Sequence, residues 1–207
     1  MKRITNFILG ATLALNISYN NSIAEEILIS EDIPPHLLDL NNKSIKSLKP
    51  DVNISKLEKQ IHNFINEERK RNRLSLLDWN DELNSIAKKH SKDMADRGYF
   101  GHKSPEGHNS LDRYKQDNFA CEIIVGDSIY GGAENIYKNS LFNSILVLNE
   151  IPYYFWNTQE EIAASTVKGW MNSPGHRKNI IIPFWKSEGI GIFISQNGNV
   201  YITQNFC

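Results

Sequence analysis

The sequence predicts an α+β fold, with helices packed around a small antiparallel sheet. Three observations predict it. Apolar residues recur at helical spacing in three polar stretches. Two β-rich runs close the chain, with the strong hairpin signal Asn197-Gly198 between them. Between these regions, residues 123–136 are broken by Gly126, Gly131 and Gly132, and their ends look like strand. At 207 residues and 40% hydrophobic, the chain suits one domain with a proper core.

The first two dozen residues read as an export signal. Lys2 and Arg3 precede an apolar run from Ile4 to Leu15, and Ser22-Ile23-Ala24 offers small residues where a signal peptidase reads. Cleavage is expected after Ala24, over a signal peptide of residues 1–24. An uncleaved surface anchor is the alternative, although the run is short for a membrane span. Removing Lys2 and Arg3 from the 23 basic residues leaves 21 against 24 acidic ones, a net charge of −3. That balance gives no electrostatic case for nucleic acid. The expectation is a secreted, extracellular protein with no membrane span in its mature chain. Residues 25–54 hold Pro34, Pro35 and Pro50 among polar residues, and read as a flexible arm.

The folded domain is expected over residues 55–207. Leu57, Ile61, Phe64 and Ile65 mark a first helix, ending near Asn72 in a charged tail. Leu83, Ile86, Ala87, His90 and Met94 form the inner stripe of a second, ended by Arg97-Gly98. Residues 99–109 are a loop by their Gly and Pro content, and 111–115 a short helix. Ile162, Ala163, Thr166, Val167 and Trp170 line a helix over 159–171. Ser173-Pro174-Gly175 then punctuates it, which puts His176 in or just after a turn. Residues 189–195 and 200–206 are the hairpin strands.

Leu141 to Trp156 is apolar and aromatic, but Asn149 and Pro152 break it too often for a membrane span. It reads either as a core-packing insertion or as a flap over a ligand. Cys121 and Cys207 are the only cysteines. Export favours their joining as a disulfide; two buried thiols are the other reading.

Six histidines could carry chemistry. His36 falls in the arm, and His62 on the first helix reads as a solvated surface residue. His90 reads as a hydrogen-bonded core residue. His102, His108 and His176 lie in Gly/Pro-punctuated segments, where functional side chains concentrate. Glu134 follows Gly131-Gly132-Ala133, where backbone can approach closely. Two histidines and a carboxylate are the ligand set of a common zinc site with one open position. The helical HExxH signature is absent, so spacing alone does not bring the three together. There is no GxSxG elbow and no P-loop, and Gly189-Ile190-Gly191 lacks the third glycine of a dinucleotide site.

Four blocks together resemble a known family. HNFINEERKRNRLSLLDWNDELNSIAKKHSKDMADRGYFGHKSPEG, GGAENIY, WMNSPGHRKNI and YITQNFC are similar, in order, to segments of the CAP superfamily. These are the SCP domains of cysteine-rich secretory proteins, antigen 5 and plant pathogenesis-related proteins, here in the secreted prokaryotic single-domain form. The resemblance implies an α-β-α sandwich with a central antiparallel sheet. It implies a cleft where His102, Glu134 and His176 meet, with Asn135, Ser173 and His108 as neighbours. In family members that cleft can hold a divalent ion, often zinc, and some members bind sterols, fatty acids or other lipids. Many eukaryotic members carry a second cleft glutamate; the equivalent position here is Ser173. Its loss removes a partner for general acid–base work.

Three functional readings follow. The first is a secreted binding module whose His/Glu cleft takes a divalent metal and a small or lipidic ligand. The second is a metal-assisted, peptidase-like hydrolase, with Glu134 as ligand or base. The third is a non-catalytic domain in which the trio is a stabilising network. No residue is assigned as catalytic.

Overall fold

The computed structural model describes residues 49–148 and 151–207, so the export signal and most of the arm lie outside the described residues. The first helix, α1 (Ile54–Arg71), opens on Asn53, whose side chain accepts from the Lys56 amide at 2.9 Å. It buries Leu57, Ile61, Ile65 and Arg69, a strict four-residue ladder. After the short strand β1 (Asp78–Trp79), Asn80 caps α2 (Asp81–Arg97). This helix ends on Gly98 at φ 69°, a left-handed cap that glycine takes without steric cost. A capping box of Asn109 and Asp112 starts α3 (Ser110–Gln116). Then come β2 (Ile123–Val125), β3 (Ser128–Tyr130), β4 (Ala133–Ser140), β5 (Phe142–Leu148) and β6 (Ile151–Trp156). Thr158 and Glu161 form the capping box of α4 (Gln159–Asn172), which runs into α5 (Pro174–Ile181). The hairpin β7 (Ser187–Ile194) and β8 (Asn199–Phe206) turns at Asn197-Gly198, as its sequence predicts.

The main sheet has the order β1-β7-β8-β4. β7, β8 and β4 are antiparallel, and only the two-residue β1 is parallel. α2 covers one face, while α1, α4 and α5 cover the other. The domain is therefore an α-β-α sandwich. Strand alternation sorts the faces. Ile190, Ile192, Ile202 and Phe206 point to α1 and α4, where they pack with Leu57, Ile61, Ile65 and Trp170. Gly189 and Gly191 point to α2. A Cβ there would lie 2.1 and 2.0 Å from α2 backbone nitrogens. Those glycines let helix and strand touch, and Ser91 Oγ donates to the Gly191 carbonyl at 2.8 Å across the contact.

Cys121 and Cys207 are joined, with Cα atoms 5.6 Å apart. The last residue is further fixed by backbone bonds to Lys186 and Ser187. A crosslink across a sequence separation of 86 residues is worth about 4.6 kcal/mol on loop-entropy grounds.

Two expectations change. Pro174 begins a helix instead of only ending one. It occupies the first turn of α5, where its missing N–H costs nothing, so His176 sits in a helical first turn. The apolar segment is a self-paired hairpin, β5 with β6, between the end of β4 and the start of α4. Leu141 at its root is fully buried, but Ile145 and Val147 are exposed, so it is not a core insertion as a whole. Its root also lies away from the cleft. Glu134 stands at the start of β4 and the hairpin leaves beyond Ser140, roughly 20 Å along an extended strand.

Candidate functional site

Glu134 is where loops and sheet converge. Gly132, at φ 106°, precedes it, and a Cβ at Gly132 would lie 2.7 Å from both the Phe206 carbonyl and the Tyr114 ring. That crowded entry requires glycine and delivers Glu134 at the start of β4, on the α2 face beside Asn205. Its side chain is 2% exposed. A buried carboxylate needs charged or hydrogen-bonding partners, and this one has two, with a third side chain near by. His102 Nδ1 donates to Oε1 at 2.9 Å. Arg113 Nη2, from α3, donates to Oε2. His90 Nε2 stands 3.9 Å from Oε1.

Arg113 also organises the loop. Its Nη1 donates to the carbonyls of His102 and His108, at 3.3 and 3.1 Å, and its Nη2 to the His102 carbonyl at 3.2 Å. One guanidinium thus fixes both the carboxylate and the backbone that carries His102. His90 is buried on the inner stripe of α2 and donates from Nε2 to the Gly101 carbonyl at 3.1 Å. Burial pushes its pKa below the ordinary histidine value, against the pull of Glu134.

His176 reaches the site from the other direction. The rings of His102 and His176 lie 6.1 Å apart at 50°. Burial, and then the neighbouring His102, lower the His176 pKa, which favours a neutral imidazole at pH 7. No ring nitrogen of His176 has a hydrogen-bond partner among the described residues. Its helix is pinned at the far end by Arg69, which donates to the Ile180 and Ile182 carbonyls at 2.6 and 2.9 Å. Asn179 donates to Asn135 Oδ1 at 2.9 Å, and Asn135 donates to the His176 carbonyl at 3.2 Å.

Of the other sequence-derived candidates, Asn135 is fully buried under α5. Ser173 is the joint between α4 and α5 and makes no side-chain cap. His108 turns away from the two histidines. Its Nδ1 meets Gln116 at 3.0 Å, and it lines a cavity of about 340 Å³ together with His90, Asp93, Arg97 and Arg113. Arg113 therefore borders both the Glu134–His102 pair and the polar cavity. Among the described residues no group of three His, Cys, Asp or Glu side chains is arranged to hold a metal. Glu134 has both oxygens engaged, which leaves His102 and His176 as the free nitrogen donors.

Arg69 and Glu188 are not singled out in the sequence, and His62 reads there as a solvated surface residue. Arg69 continues the 57-61-65 ladder, so its burial was readable from spacing. His62 is not a solvated residue: its Nδ1 meets the fully buried Glu188 at 2.6 Å. Glu188 shares strand parity with Ile190 and Ile192, which marks it as inward-facing.

The sequence profile of the cysteine-rich secretory protein family, CAP, matches residues 62–206. The chain belongs to the CAP family. Among its relatives, the uncharacterised protein YkwD of Bacillus subtilis is 32% identical over 153 residues, 74% of this chain and 48% of that protein. The uncharacterised membrane protein YlbC of the same organism is 27% identical over 72% of this chain and 34% of its own length. The chain thus spans about half or less of these curated relatives. An SCP-domain extracellular protein from Bacillus anthracis superposes with a TM-score of 0.55 at 27% identity, covering 73% of this chain and 40% of that one. An outer surface protein of Borrelia burgdorferi has a TM-score of 0.55 at 15% identity, covering 77% and 97%, and shares the fold. This is a bacterial-type CAP domain, and no helix among its described residues is long and apolar enough to cross a membrane.

Proposed function

We propose that this chain is an exported, non-catalytic binding domain whose groove takes a divalent ion, such as zinc, between His102 and His176. The observation that carries the reading is the pair of rings 6.1 Å apart, one with its Nδ1 already committed to Glu134 and the other with both nitrogens free of protein partners. Metal–nitrogen bonds of about 2 Å put an ion roughly 3 Å from each ring centre, so two rings sharing a tetrahedral ion stand about 5 Å apart. The histidines fit once the rings, 6.1 Å apart, close by roughly 1 Å. The fit is poor for Glu134 as a ligand, because Arg113 and His102 occupy both its oxygens. Glu134 instead suits the role of a carboxylate that orients a metal-binding imidazole. A bound ion would supply Lewis acidity and positions for outside ligands. With both Glu134 oxygens engaged, proton transfer would fall to the His176 imidazole, which a bound ion would occupy.

The polar lining of the cavity beside Arg113 suits a small polar ligand better than an acyl chain. Export is supported by the signal-like N-terminus and by the extracellular description of the Bacillus anthracis relative.

Zinc calorimetry tests the reading. The wild-type chain is expected to bind in the micromolar range, and the His102→Ala/His176→Ala double variant to stay folded without binding. Glu134→Gln is expected to weaken binding by roughly 10- to 100-fold and not to abolish it. No heat with the wild-type chain would remove the metal from the function and leave the trio as a structural network.

A further inference from the structure

The groove histidine His176 is held by a line of hydrogen bonds that crosses the sheet. Its carbonyl accepts from Asn135 Nδ2 at 3.2 Å. The same amide nitrogen donates to Gln204 Oε1 at 2.9 Å. Gln204 Nε2 donates to Glu188 Oε2, and Glu188 Oε1 accepts from His62 Nδ1 at 2.6 Å. His62 Nε2 faces Asn66 Nδ2 at 3.2 Å, and Asn66 is tied through both amide atoms to the backbone of Leu77. Asn135, Gln204 and Glu188 are all completely buried. Strand pairing puts them in line: Asn135 opposes Gln204, and Gln204 opposes Ile190, two residues along β7 from Glu188.

The line has a direction. A carboxylate only accepts, whereas an amide has one accepting and one donating end. The charge of Glu188 draws the nitrogen of Gln204 to itself, which turns the Gln204 oxygen toward Asn135. That oxygen then draws the nitrogen of Asn135, which leaves the Asn135 oxygen for Asn179. One acceptor-only group sets two amides, and the second grips α5 at His176 and Asn179.

We propose that Glu188 is a positioning residue for His176: acting through Gln204 and Asn135, its carboxylate sets the angle at which α5 presents the imidazole, and His62, from α1, keeps that carboxylate in place. This rests on the reading of His176 as a groove ligand donor, and it names what regulates that donor's geometry. The three side chains of the line are buried, so a change at Glu188 is transmitted through amides held in a low-dielectric interior.

The test is Glu188→Gln, which keeps the shape but adds a donor, so the line loses its fixed direction. The imidazole 1H–15N correlations of His176 are read in the full chain without metal, and zinc affinity is read separately by calorimetry. Glu58→Gln is the control. Glu58 is another buried carboxylate, bound to Lys88 and the Ile192 amide and outside this line. Glu188→Gln is expected to move the His176 signals and to raise the zinc Kd about tenfold, with Glu58→Gln moving neither. Unmoved His176 signals in folded Glu188→Gln, or equal movement in Glu58→Gln, would overturn the proposal. If Glu188→Gln does not fold, Gln204→Met breaks the same line and carries the same two outcomes. Failure of the wild-type chain to bind zinc sinks the metal reading alone, because the imidazole signals are read without metal.

Discussion

Glu134 and Glu188 lie on opposite faces of one sheet, and the contrast between them explains how this domain separates a site from a brace. Both are buried, and each meets a histidine, at 2.9 and 2.6 Å. Glu134 also has a cation, Arg113, and its histidine is 51% exposed with Nε2 left over. Glu188 has an amide, Gln204, in place of a cation, and its histidine spends both nitrogens on the protein. Burial of a carboxylate is thus not in itself a mark of function. What matters is whether its histidine retains a free donor that faces outward.

The sharpest way to break this contrast is to remove the cation. Arg113→Met leaves Glu134 buried without its charge partner and frees the His102 and His108 carbonyls. A loss of about 3–5 kcal/mol in urea unfolding is expected. Adding Glu134→Gln to Arg113→Met should recover part of that loss; a double variant as unstable as the single would show that Arg113 acts through the loop carbonyls and not through the charge.

The Glu188 side should behave differently. His62→Leu alone removes one of the two partners of Glu188 and is expected to cost about 1–3 kcal/mol. The double change His62→Leu/Glu188→Met removes the buried charge but leaves the Gln204 amide nitrogen without its acceptor, so it should also cost about 1–3 kcal/mol and be no less stable than His62→Leu. A double variant less stable than His62→Leu would contradict the reading of this pair as a brace.

The smallest effect is in pH. His90 and His176 have folded pKa values below the ordinary one, so the unfolded chain takes up their protons first. Stability from these two is full above the unfolded histidine pKa of about 6.5 and falls as the pH drops through it toward their lower folded values. Thermal melts between pH 7.5 and 5.5 should show a falling Tm, with a shallower fall in His90→Gln. An unchanged slope in that variant would remove His90 from the acid response.

Much of the fold was legible because it is local. The 3.6 spacing of Leu57, Ile61 and Ile65, the stripe of α2 and the Asn-Gly turn each depend on neighbours in sequence. The four family-like blocks gave the sandwich and the meeting of His102 with Glu134. What was not legible depends on contacts between distant segments. His62 and Glu188 are 126 residues apart, and nothing around His62 shows that it faces a carboxylate. The helical first turn at His176 was hidden because Pro-Gly reads equally as a stop and as a start. The apolar stretch 141–156 was ambiguous because periodicity does not tell a packed segment from a hairpin that pairs only with itself.

That hairpin has tied feet. The Asn157 amide donates to the Leu141 carbonyl at 2.7 Å, and its side chain donates to the Ser140 carbonyl at 3.0 Å. Phe142 and Trp156 face each other as the first rung above that knot. The path from sheet to α4 is therefore closed below the hairpin, whatever length of chain rises from it. In the currency of chain architecture, this is a cassette position, where loops can be exchanged without the body of the domain registering the change.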